Sequence, residues 1–207
     1  MKNGLTQTNV MDVMNFAYDK AINGGLPNAP TVDELSEEYL NKYQDKEVAI
    51  SKFIFWQEGK TATSGFVTGF GGVFTLPITV PADITSVIYI QLRMIATIAK
   101  IRGYDPHQDD VRSLAYICLT GSSLTDFAKR SGITIAQKMG TNAVNKISGQ
   151  TLTKINQAVG FRLITKFGEK GAINLGKMVP VLGALVSSGF DAASTKTIAS
   201  VAKKNFR

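Results

Sequence analysis

Six polar side chains, Asp83, Tyr89, Gln91, Arg93, Tyr104 and Asp105, stand in the most apolar stretch of this chain. Burying a carboxylate or a guanidinium costs several kcal/mol each unless it is paired. The cluster is therefore either an internal pair that pins the fold or the polar lining of a pocket for a small ligand or headgroup. On a helix, Tyr89 and Arg93 stand at i and i+4 and share a face. Asp83 and Arg93 lie ten residues apart, ~15 Å of helix rise, so pairing them needs a kink or a partner from another element. A catalytic system lacks its second half, because no further well-placed carboxylate or histidine base accompanies the cluster. The single histidine, His107, beside Pro106, reads as an exposed imidazole at a helix start, and the single cysteine, Cys118, as a small core residue. One of each excludes a disulfide framework, a multi-cysteine metal site and a His-rich centre. The sequence accordingly predicts no catalytic residue, no metal and no cofactor.

Phosphate chemistry has a weaker footing. Gly69-Phe70-Gly71-Gly72 is not a phosphate loop, since no Gly-Lys-Ser/Thr follows and no strand precedes it. Lys166, Lys170 and Lys177 crowd a glycine-rich turn and could hold phosphate groups, although solvated charges explain them equally well. Ser122 and Ser123 after Gly121 form no nucleophile elbow and read as a helix N-cap.

Charge is distributed unevenly. Residues 1–63 carry nine acids and six bases, residues 64–110 four and three, and residues 111–207 three acids against fourteen bases. A basic half attached to a mildly acidic front attracts polyanions. Each Lys or Arg near an anionic bilayer contributes about 1 kcal/mol of attraction. Nucleic acid fits poorly, because the basic half lacks interleaved aromatics and any recognisable binding module. The partner expected is an anionic membrane surface or a membrane protein; nothing in the sequence fixes an oligomeric state. The opening residues Met1-Lys2-Asn3-Gly4 show no signal-peptide pattern. The expected place is therefore cytoplasmic, peripheral at the inner face of the membrane.

The elements that must carry these residues read as helices throughout. Residues 5–23 form a short helix, Gly24 to Pro30 a break, and Thr31-Val32-Asp33-Glu34 a capping box. The apolar period then runs through Leu35, Tyr39, Phe53 and Trp56 to about Gly59, with a break near Asp45. Pro81 suits the first turn of the clearest helix, whose stripe includes Ile84, Ile88, Leu92, Ile95 and Ala99, and Gly103 suits its end. Asp105 and Pro106 predict the N-cap and first position of the next helix. Residues 123–147 and 150–168 read as two basic amphipathic helices, and a terminal helix runs from about Val181 to Phe206. No useful period-two run occurs, so the fold class is all-α, a compact bundle of eight or nine helices.

The 207 residues suffice for a well-buried core. Residues 1–30 read as an N-terminal helix and linker, and residues 31–207 as the helical domain. Residues 61–82 carry no charge, long enough for a spanning helix. Gly65, Gly69, Gly72, Pro77 and Pro81 interrupt it, and interior glycine and proline weaken helices. An apolar hairpin closely packed through the small residues fits better, either buried in the core or inserted into a membrane.

Several strings then carry a family likeness. Ser64 to Gly72, Thr75-Leu76-Pro77, Pro81-Ala82-Asp83, Tyr89 to Ile95 and Gly103-Tyr104-Asp105 appear in order. Near the C-terminus follow Lys166 to Gly171, Leu175-Gly176-Lys177, Val179-Pro180, Gly183, Asp191 and Thr195. Together they resemble the EcsC family of bacterial proteins over most of residues 32–206. That family takes its name from the third gene of an operon that also encodes an ABC-transporter ATPase and its membrane partner. The resemblance implies a cytoplasmic or membrane-surface accessory protein with no established reaction. The alternative is a small-ligand-binding or enzymatic helical domain with a pocket around Asp83, Arg93 and Tyr104.

Overall fold

The computed structural model describes residues 7–25, 29–62, 82–134, 147–167 and 195–207. Among them are eight helices and no strand: α1 (Gln7–Ile22), α2 (Val32–Tyr43), α3 (Lys46–Ala62), α4 (Ala82–Ile101), α5 (Asp109–Leu119), α6 (Leu124–Ser131), α7 (Gly149–Phe167) and α8 (residues 195–205). The chain is all-α, as its periodicity predicts.

Local chemistry sets most of the boundaries. At the start of α2 the Thr31 hydroxyl accepts the Glu34 N–H at 3.1 Å, and the Glu34 carboxylate accepts the Thr31 N–H at 2.7 Å, a complete capping box. The break near Asp45 is real: Gln44 takes a left-handed φ of 56°, and the Asp45 carboxylate accepts the Val48 N–H to open α3. Gly103 ends α4 at φ 93°, and the Tyr104 N–H reaches back to the Ala99 carbonyl at 3.0 Å. Ser123 caps α6, its hydroxyl accepting the Asp126 N–H and bonding the Asp126 carboxylate, which it holds below the usual carboxylate range.

Two sequence expectations are corrected. Asp105 and Pro106 do not open α5; its N-cap is Gln108. The Asp105 carboxylate instead accepts the His107 N–H at 3.0 Å, closing a turn one residue short of the helix. The basic helix expected over 123–147 stops at Ser131, because Gly132 adopts a left-handed φ of 65° and its N–H closes back on the last turn. The amphipathic period continues past that point, but a backbone reversal ends a helix whatever the pattern that follows.

α4 is the centre of the fold. α1, α2, α3 and α5 pack on it, α7 packs on α1 and α5, and α6 on α5. One core cluster joins Val13, Met14 and Tyr18 of α1 to Ile50 and Phe53 of α3, Leu92 and Ile95 of α4, Leu114 and Ile117 of α5, Val159 of α7 and Ile198 of α8. A polar seam ties α1 to the second half of the chain. The Tyr18 hydroxyl donates to the Pro106 carbonyl at 2.8 Å, that of Tyr116 to the Asn15 side chain at 2.7 Å, and Arg112 pairs with Asp19 at 2.8 Å. No described helix is long and apolar enough to cross a membrane.

Candidate functional site

Arg93 projects from the middle of α4 and is only 8% exposed. Its Nη1 donates to the Ala21 carbonyl at 3.0 Å and lies 3.4 Å from the Tyr89 hydroxyl, while Nη2 donates to the Pro30 carbonyl. The shared face of Tyr89 and Arg93 is thus confirmed. The guanidinium is anchored by main-chain carbonyls at the end of α1 and just before α2, which fastens the α1–α2 connection onto α4. Burial pushes the Tyr89 phenol up, and the neighbouring guanidinium partly offsets this. Gln91, also on α4, is buried and engaged.

Beside Arg93 lies a cavity of about 160 Å³. Its walls are Ala29 and Pro30, Leu35 and Tyr39 of α2, Phe53, Trp56 and Gln57 of α3, and Tyr89 and Ile90 of α4. Tyr104 does not belong to it. It lies beyond the C-terminal end of α4, where its hydroxyl donates to the Arg207 main-chain oxygen at 2.8 Å and its ring meets Phe206 edge-on at 5.2 Å. Asp105 is exposed in the adjoining turn. Asp83 falls in the first turn of α4 and Lys166 in the last turn of α7, with side chains outside those described. Lys170, Lys177 and the hairpin positions Gly65, Gly69, Gly72, Pro77 and Pro81 also lie outside the described residues. Cys118 is fully buried, its sulfur 3.2 Å from the Asn205 amide, and burial pushes its thiol up to about 12.

The second feature is electrostatic. An open groove of about 830 Å³ is lined by Arg102 at the end of α4, Lys196, Lys203 and Lys204 of α8, Arg207, and Glu47 and Ile54 of α3. Among the described residues, five cationic side chains therefore face one carboxylate. Glu47 is shared between Arg102 and, at 3.3 Å, Lys203. Next to Ile54, α3 presents Phe55 and Trp56, 68% and 54% exposed, with ring centroids 6.4 Å apart. α3 is consequently the wall between groove and cavity, with aromatic rings on its crest. A further basic patch combines Arg130, Lys154 and Arg162 with Phe161, which is 65% exposed.

The sequence matches the EcsC protein family over residues 8–207. The chain belongs to the EcsC family. The match starts within α1 and runs through α8, so the helices that build groove and cavity fall within the family's span. No curated protein and no solved structure gives a significant match.

The groove of this EcsC chain is the feature that residue-level reading missed. A basic C-terminal half is visible as composition, but which lysines converge depends on α8 returning to the end of α4. Trp56 reads as part of the apolar stripe, yet it stands more than half exposed. Two adjacent aromatics on a helix are rotated by about 100° from each other, so Phe55-Trp56 was the available signal that one ring would face outward.

Proposed function

We propose that this EcsC-family chain is a membrane-surface accessory protein that docks on anionic lipid through the α8 groove and the crest of α3. The observation that carries the reading is the groove itself, with five cations against one carboxylate among the described residues, and with exposed Phe55 and Trp56 following its Ile54 along α3. Cations near an anionic bilayer gain about 1 kcal/mol each. Tryptophan and phenylalanine favour the interface, where an apolar ring meets the headgroup layer. The charge attracts the protein to the surface, and the rings give a contact that salt does not screen.

Co-sedimentation with vesicles tests this. The protein should pellet with vesicles containing phosphatidylserine or phosphatidylglycerol and stay in the supernatant with pure phosphatidylcholine. Raising salt should weaken binding without abolishing it. A protein that ignores anionic vesicles at low salt would sink the proposal.

A further inference from the structure

We infer that the cavity beside Arg93 is a binding site for a small organic monocarboxylate with an apolar body. The cavity shares Trp56 with the crest of α3, but its defining charge is Arg93 and not the basic groove, so it does not depend on the membrane reading.

Three observations carry it. Arg93 is buried, and every partner it has among the described residues is neutral: the carbonyls of Ala21 and Pro30 and the hydroxyl of Tyr89. Carbonyl dipoles satisfy N–H groups but supply no net charge, so the guanidinium keeps its full positive charge away from bulk water. These contacts engage three of its five N–H groups, and a carboxylate takes two for a bidentate bond. The neighbouring void is walled by Leu35, Tyr39, Phe53, Trp56 and Ile90. Its volume of about 160 Å³ is that of a cavity able to hold a benzene-sized molecule. A site with one fixed cation at the edge and rings around the remainder selects one negative charge on an aromatic or compact aliphatic body. A phosphate dianion would bring excess charge and no apolar surface to fill the walls.

Trp56 is the single tryptophan of the chain and lines the void, so its emission reports occupancy directly. The experiment titrates the full chain with benzoate and, separately, with benzyl alcohol, which keeps the ring and lacks the charge. Trp56 emission and calorimetry are both followed. Saturable benzoate binding at least tenfold tighter than benzyl alcohol is expected, from the strength of hydrogen bonds to charged groups. Absence of saturable benzoate binding overturns the inference. So does equal binding of the two probes, which would make the void a simple apolar hole. Two variants locate the site. Arg93→Gln should lose the preference for benzoate, and Ile90→Phe, which fills the void and leaves the Arg93 contacts in place, should lose both probes. Benzoate binding that survives Ile90→Phe would place it elsewhere, on the surface cations, and also overturns the inference. Should Arg93→Gln fail to fold, the comparison of probes and Ile90→Phe still decide.

Discussion

At the scale of single residues, burial sets the chemistry more than identity does. Cys118 carries the only thiol, yet desolvation holds it protonated up to about pH 12, and the thiolate is the reactive form. A thiol reagent at pH 8.5 should leave the native chain unlabelled for hours and label one equivalent within minutes in denaturant; fast native labelling would contradict the packing around Asn205. The same burial has a thermodynamic sign. A folded-state value above the unfolded one gives stability that is whole below about pH 9 and lost as pH climbs toward 12. Tyr18 and Tyr116, both pushed up chiefly by burial, add to that loss. The urea midpoint should accordingly fall between pH 8 and pH 11. Arg93 shows where residue-level reading ends. Its apolar surroundings and its shared face with Tyr89 are visible in the sequence. Its acceptors are not, because Ala21 and Pro30 contribute carbonyl oxygens, which every residue carries, from 72 and 63 positions away.

At the scale of elements, the connection between α1 and α2 opens on a tightly constrained glycine. Gly24 has a φ of +69°, and a Cβ there would lie 2.4 Å from the Ala29 carbonyl oxygen. Gly103 has a φ of +93° and open space around it. Both positions carry the left-handed penalty of about 1–2 kcal/mol for a side chain, but only Gly24 adds a collision with main chain. Gly24→Ala should therefore destabilise by clearly more than Gly103→Ala in urea titrations. It should also weaken probe binding at the cavity, since Ala29 and Pro30 form part of its wall. Equal costs for the two would show that the connection yields freely. Signals of three or four residues were the legible ones: the Thr31–Glu34 box, the Ser123 cap and the Gly103 stop. Asp105-Pro106 has the composition of a helix start, but a side chain that can cap a turn or a helix is assigned by its surroundings. The stop at Gly132 was hidden by a basic amphipathic pattern that runs on beyond it.

At the scale of the whole molecule, charge and core are segregated along the chain but meet in space. The acidic front supplies Glu47, the one carboxylate of the groove among the described residues, while the basic end supplies most of its cations. Lys196, Lys204 and Arg207 are exposed. Changing all three to Gln should leave thermal stability within about 0.5 kcal/mol, as for ordinary surface positions. It should reduce partition onto phosphatidylserine vesicles roughly 100-fold, at about 1 kcal/mol per cation. Unchanged partition would move the docking surface away from α8. The all-helical class and the family likeness were readable because both rest on pattern over long stretches. The convergence of Arg102 with α8 was not, because it depends on how the terminal helix returns across the bundle.

That return has a consequence for how the protein folds. Phe206 is fully buried, and Asn205 accepts the Leu124 N–H at 3.0 Å while its amide reaches the Cys118 sulfur. Tyr104 is closed off by the same few residues. The buried face of α1 is completed only by α4, and the ends of α4 and α5 only by residues 205 and 206. Any form in which those residues are not yet docked leaves part of the core that Phe206 covers open. Closing the bundle therefore depends on contacts 81 to 103 positions apart, the long loop closures that slow folding.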